Sequence, residues 1–128
     1  MALQHDGSPH DDCLFCKLFR SGDHVASTDG FVAIRDINPQ ASVHLLVIPE
    51  HHLDTFRDVA ELSPAETHRM LGFIAEVARD AGLEDYKVQV NVGPTAGQTV
   101  FHLHWHVLGH KHVHGTELPD SSTEVTEL

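Results

Sequence analysis

A chain of 128 residues is long enough for one domain with its own core, and 41% hydrophobic content is ordinary for a soluble globular protein. Eight basic against nineteen acidic residues give a formal charge of −11, which argues against non-specific binding to nucleic acid or an anionic membrane but leaves room for a small anionic ligand in a local site. No apolar run approaches the roughly 18 residues of a membrane span. The opening MALQHDGSPHDD lacks an apolar signal core, so a cytoplasmic protein with a disordered start over residues 1–11 is expected.

CLFCKLFR, residues 13–20, has Leu14, Phe15, Leu18 and Phe19 at helical spacing after Asp11-Asp12, which predicts a short helix capped by the aspartates and ended by Gly22. FVAIRD (31–36) alternates as a strand, and Asn38-Pro39 predicts a turn. VHLLVIP (43–49) is a near-continuous apolar run closed by a proline, hence a buried strand with His44, Leu46 and Ile48 on one face. Ser63-Pro64 with Glu66 three residues after the serine starts a second helix. Its stripe of Met70, Leu71, Ile74, Val77, Ala78 and Ala81 predicts core packing, and Gly82 ends it. YKVQVNV (86–92) alternates cleanly, GPTAGQ (93–98) is a loop, and VFHLHWHVLG (100–109) is the last strand. The order α-β-β-α-β-β predicts an α+β domain over residues 12–112 with a mostly antiparallel sheet, and a polar tail over 113–128.

The last strand carries the chemistry. His102, His104 and His106 stand at every second position, so a regular strand puts all three imidazoles on one face and Leu103, Trp105 and Val107 on the other. Three protonated rings side by side would repel, so some must be neutral, hydrogen-bonded or metal-bound near neutral pH. Neutral imidazole is a good nucleophile toward phosphorus, and a neighbouring imidazole can hold a proton or steady a developing charge. The plainer reading is a solvated or metal-binding histidine strand. Just upstream, the small residues Gly93, Pro94, Ala96 and Gly97 let backbone N–H groups approach an anion, with Gln98, Thr99 and Asn91 as side-chain donors; on its own such a loop is usually a turn. Cys13 and Cys16 are half of a zinc site by spacing, or a redox pair, or free thiols. His110, His112 and His114 continue the alternation and read as a solvated tail.

The segment NVGPTAGQTVFHLHWHVLG resembles the signature of the histidine triad (HIT) family, and LFCKLFRSG, FVAIRDINPQASVHLLVIPEHH and the helix from Ser63 resemble it in the same order, over roughly residues 12–110. The HVLG ending is similar to the Hint branch of nucleoside phosphoramidases, and AGQTV is equally at home in the Fhit branch of dinucleoside polyphosphate hydrolases. The resemblance implies a HIT-like fold, with a five-stranded antiparallel sheet and one long and one short helix. It implies that His104 attacks an α-phosphorus to form a nucleotidyl-imidazole, that His106 steadies the phosphate, and that His44 supports the pair. It also implies that Asn91, Gly97, Gln98 and Thr99 hold phosphate oxygens, Asp36 the ribose, and Phe15, Leu18, Ile34 and Ile37 a purine. Zinc-bearing members would use Cys13, Cys16, His52 and His102 as structural ligands, with no metal needed for chemistry. His110 stands where the Hint branch usually has glycine. The expected product is a nucleoside monophosphate, and the expected assembly a homodimer. Two other readings stay open: a nucleotide-binding module with little turnover, and a histidine-rich zinc store.

Overall fold

The computed structural model describes residues 13–111; the expected N-terminal segment, the tail, His112 and His114 lie outside them. Five strands, β1 (Ala26–Thr28), β2 (Phe31–Arg35), β3 (Val43–Pro49), β4 (Lys87–Gln89) and β5 (Trp105–Gly109), form one sheet in the order β1-β2-β3-β5-β4. Every pairing is antiparallel. Two α-helices, α1 (Leu14–Ser21) and α2 (Pro64–Asp80), and short 3-10 segments at Phe56–Glu61 and Pro94–Ala96 complete the domain. Neither helix is long and apolar enough to cross a membrane.

The sheet is covered on both faces, which explains the continuous apolar runs. Phe31 and Ala33 of β2, Leu45 and Val47 of β3 and Val107 of β5 face α2, where Met70, Phe73, Ile74, Val77 and Ala78 close the larger core. Their alternates Val32, Ile34, Leu46 and Ile48 face the other way and pack with Phe15 of α1. His44 is in phase with Leu46 and Ile48, and His106 lies directly opposite Leu46 in the register. Both histidines therefore belong to the α1 face.

Local signals set the helix ends. Ser63 and Glu66 form a capping box at 3.1 and 2.7 Å. After α2, Gly82 N–H bonds to Arg79 O and Leu83 N–H to Ala78 O, both at 3.0 Å, the paired bonds of a Schellman stop. At the start of α1 the cap is Cys13, whose sulfur accepts the Cys16 N–H at 3.3 Å; the predicted Asp11-Asp12 cap lies outside the described residues. Gly22 ends α1, donating to Leu18 O at 2.8 Å.

Other expectations are corrected. The last strand begins at Trp105 and not at Val100, because Leu103 N–H is drawn to Leu53 O at 2.6 Å and residues 101–104 leave the ladder. The strand predicted over 86–92 pairs only at Lys87–Gln89. In α2 Phe73 joins Met70, Ile74, Val77 and Ala78 in the buried stripe, while Leu71, expected there, is 54% exposed. β1, Ala26–Thr28, is the strand the apolar pattern does not predict: it has no hydrophobic alternation, and its signal is the Asp29-Gly30 pair, which turns the chain with Gly30 at φ +87°.

Two glycines test this packing in opposite directions. At Gly109 an added Cβ would lie 2.7 Å from Asp85 O and 3.1 Å from Tyr86 Cβ, whereas at Gly72 in α2 it would meet nothing within 4 Å. Gly109→Ala is therefore expected to destabilise by about 1–3 kcal/mol through overpacking, and Gly72→Ala to stabilise by about 0.5–1 kcal/mol through helix propensity. Urea denaturation of both variants checks the pair; equal effects would contradict the strand contact.

Candidate active site

The site lies on the α1 face, where three histidines come from two strands and the segment between them. His104 is 8% exposed, and its Nδ1–H donates to the His102 carbonyl at 2.8 Å. That bond assigns the ring's proton to Nδ1 and leaves Nε2 with a lone pair. Phe15 meets the same ring edge-on, with centroids 4.8 Å apart and planes at 90°. The His104 and His106 rings are 5.1 Å apart.

His44 is fixed by the loop before β3. Gln40 N–H donates to His44 Nδ1 at 3.1 Å, so the ring's proton sits on Nε2. From there it is donated to His106 Nδ1 at 2.9 Å, with Asp36 Oδ2 3.4 Å away. His106 in turn keeps its own proton on Nε2. Asp36 Oδ2 is 3.9 Å from His106 Nδ1, and its Oδ1 accepts the Asn38 N–H at 2.8 Å. Burial lowers the proton affinity of His44 and His104, partly opposed by the Asp36 charge. His106 is pushed down to about 4 by burial, then by its neighbours His104 and His44, with Lys87 adding and Asp36 opposing. All three rings are neutral at pH 7.

The expected nucleotide-binding residues separate into groups. Phe15 and Ile34 are buried together, and Leu18 is partly buried against them. Ile37 is not gathered with them: it is 91% exposed, because the turn held by Asp36 and Asn38 carries it outward. Gln98 was expected to offer its amide to an anion, but both amide protons are used inside the fold, at 2.7 Å to Asp54 O and 3.0 Å to Val100 O. Its Oε1 accepts the Gly93 N–H at 2.9 Å. Gln98 is thus the clamp that shapes the loop. The exposed Thr99 follows it, and Asn91 flanks Gly97, its amide oxygen taken by Gln89 Nε2 at 3.0 Å. His110 is half-buried rather than part of a free tail, and its Nδ1 accepts the Ser42 N–H at 3.4 Å.

Cys13, Cys16, His52 and His102 also converge: their ligand atoms all lie within 4.8 Å of one another. His102 Nδ1 is 3.3 Å from Cys13 Sγ and 3.4 Å from Cys16 Sγ, and His52 Nδ1 is 3.3 Å from Cys16 Sγ. Tetrahedral zinc with sulfur and imidazole ligands requires separations of roughly 3.3–3.8 Å. The far nitrogens are anchored as ligand histidines require: His102 Nε2–H donates to Pro49 O at 2.8 Å, and His52 Nε2–H to Asp54 Oδ1 at 3.0 Å. Both Nδ1 lone pairs therefore face the thiols, and the donor set fits a closed zinc site. Asp36, His44 and His106 form a second group of similar spacing, but there the Gln40 bond puts a proton on the His44 nitrogen facing its partners. The first cluster presents lone pairs and the second a proton chain.

Sequence reading missed Asp54, which holds His52 with its carboxylate and Gln98 with its carbonyl. The HHLD spacing was its only signal. It also missed Gln40, which acts through its backbone and leaves no trace in residue type.

The depressed His106 has a directional consequence. An unfolded imidazole titrates near 6.5 and the folded one at about 4. Between those values the unfolded chain holds the proton and the native chain does not, so the stabilisation is full above about pH 6.5 and is lost as pH falls toward 4. The loss from this residue is on the order of 3 kcal/mol. An NMR titration should find the His106 midpoint well below 6.5, and urea stability should decline over the same interval; a midpoint at or above 6.5 would contradict the burial argument.

Comparison with known proteins agrees with this geometry. Residues 20–113 match the model of the HIT domain family. Protein HitA of Neisseria gonorrhoeae is 37% identical over 103 residues, covering 77% of this chain and 96% of HitA. An uncharacterised HIT-like protein of Synechococcus elongatus is 38% identical over 103 residues, covering 77% and 90%. Among solved structures, a histidine triad protein from Clostridium difficile superposes with a TM-score of 0.70 at 31% identity, covering 84% of this chain and 98% of that one. A HIT family hydrolase from Legionella pneumophila superposes at 0.68 and 32% identity, covering 83% and 95%. With the five-stranded antiparallel sheet and the converging histidines, these matches establish that the chain belongs to the HIT domain family.

Proposed function

We propose that this protein hydrolyses nucleoside phosphoramidates or related nucleotide conjugates and releases a nucleoside monophosphate through a covalent intermediate on His104. The observation that carries the reading is the bond from His104 Nδ1–H to the His102 carbonyl, which bares Nε2 among neutral imidazoles. Relatives support the class: the Legionella pneumophila structure is described as a hydrolase, and one from Sulfolobus tokodaii, 28% identical, as a hypothetical histidine triad nucleotide-binding protein.

In this reading Nε2 attacks the α-phosphorus, the bond to the leaving group breaks, and water then displaces His104. His106 turns its Nε2–H to a phosphoryl oxygen. In the free site it resists a proton, but a bound phosphate raises its proton affinity, so the His44–His106 pair holds a proton for the leaving group only once substrate is present. Asp36 takes the ribose, Phe15, Leu18 and Ile34 form the wall toward the base, and the exposed Thr99, just past the clamped Gln98, offers its hydroxyl to a remaining oxygen.

A second reading, hydrolysis of dinucleoside polyphosphates, draws support from Arg57. Its guanidinium lies against Gly93, 3.0 Å from where a Cβ would sit, and places a cation beside the loop for a further phosphate. Zinc in the Cys13–Cys16–His52–His102 cluster would tie α1 to the segments after β3 and before β5. With four protein ligands it leaves no position for substrate and acts as a structural ion. A homodimer built on β4 is supported by that edge strand and by the exposed Val88 on it.

Two measurements test the reading. His104→Ala should lower turnover of adenosine phosphoramidate by at least about a thousandfold while nucleotide binding stays within a few-fold; surviving turnover would remove His104 as nucleophile, and faster cleavage of a diadenosine polyphosphate by the unaltered protein would favour the second reading. Metal analysis should return one zinc per chain, and strong chelation should lower the melting temperature markedly, since a structural zinc contributes on the order of 10 kcal/mol. Several ions per chain would point to metal storage, and an unmoved melting temperature would reject the site.

A further inference from the structure

His102 belongs to two constellations at once. Its ring faces Cys13 and Cys16 at 3.3 and 3.4 Å, and its carbonyl accepts the proton that fixes His104 at 2.8 Å. Phe15 has the same double membership. It sits between the two cysteines on α1, and its ring meets His104 edge-on at 4.8 Å and His102 at 6.2 Å.

This overlap matters because residues 101–104 precede β5, which begins at Trp105. Ladder bonds fix the carbonyl direction of a residue inside a strand, whereas His102 stands ahead of β5. Its peptide is held by Leu103 N–H on Leu53 O at 2.6 Å and by its own ring, pinned between Pro49 O and the two sulfurs. A ring held from both nitrogens leaves its backbone little freedom to rotate. Release of one side would let the carbonyl turn and free His104 to exchange tautomers, which puts the proton on the attacking nitrogen in part of the population.

We propose that His102 and Phe15 are positioning residues for His104, and that occupancy of the Cys13–Cys16–His52–His102 cluster by zinc sets the rate of turnover through them, in addition to stabilising the fold. The inference rests on His104 as the nucleophile. It assigns the cluster a role in the reaction without contact with substrate: the ion orders α1, α1 carries Phe15 onto the ring, and the ordered His102 carbonyl keeps Nε2 unprotonated.

The test compares zinc-loaded protein with the same protein stripped by a strong chelator, and adds a Phe15→Leu variant kept zinc-loaded. Two quantities are read: kcat and KM for adenosine phosphoramidate, and the His104 tautomer by long-range nitrogen–proton NMR without substrate. Stripped protein that circular dichroism shows to be folded is expected to lose between about tenfold and a hundredfold in kcat with KM within about twofold. Its His104 signal should change from one Nδ1–H tautomer to a mixture. Phe15→Leu should reproduce the kcat loss with zinc still bound. Unchanged kcat and an unchanged tautomer in the stripped protein would make the cluster purely structural, and the same result in Phe15→Leu would remove Phe15 as a positioning residue; either overturns the proposal. If stripping unfolds the chain, the cluster's role is the stability of the fold and the zinc part of the proposal is overturned, while the Phe15→Leu sample still decides whether Phe15 positions His104. Failure of the nucleophile assignment is distinguishable, because it shows as turnover surviving His104→Ala, whatever the tautomer readings give.

Discussion

The hydrogen bond from His104 to the carbonyl two residues before it is the constraint on which the rest of the site depends. An exposed imidazole exchanges its proton between two nitrogens, and an attacking group needs one of them bare. Here a main-chain acceptor makes the choice, and a main-chain acceptor cannot be titrated away. The surrounding burial lowers the proton affinity of the ring, opposed in part by that same hydrogen bond and by the Asp36 charge. The pocket thus stores an uncharged imidazole whose orientation is set by a main-chain hydrogen bond.

The same logic separates two histidine clusters of nearly the same composition. In each, one nitrogen of a ring is claimed by a fixed partner, and that partner decides what the other nitrogen presents. Pro49 O and the Asp54 carboxylate accept protons, so His102 and His52 turn lone pairs toward the thiols. The Gln40 N–H donates one, so His44 turns a proton toward His106. A pair of lone pairs aimed at two thiols and a chain of donated protons follow from the direction of a few fixed partners.

The sandwiching of the sheet gives these directions their rigidity. Both faces of β2 and β3 are buried, one under α2 and the other under α1. A slip of one residue in register would exchange His44 for Leu45 on the α1 face, so the apolar alternation that builds the core also holds the site in place. The loop before β5 is held by the buried Gln98, whose amide closes three hydrogen bonds across the turn.

Much of this was legible in the residue order. The two long apolar strands, the Ser63 cap, the Gly22 and Gly82 stops and the three spaced histidines are local signals, because helix ends and strand faces are fixed by residues within a few positions of one another. The weak edge strand Ala26–Thr28 escaped the periodicity, since an exposed edge needs no alternation. The spacing of His102, His104 and His106 predicted one regular strand, yet only His106 lies in the ladder. Residue types alone named the candidates Cys13, Cys16, His52 and His102, but sulfur and nitrogen 36 to 89 positions apart are brought together only by the packing of α1 on the sheet. Sequence by itself determined which groups were available and on which face most of them stand. Tertiary structure alone decided which nitrogen of each ring holds the proton, because that depends on main-chain carbonyls and N–H groups every residue possesses and no residue letter records.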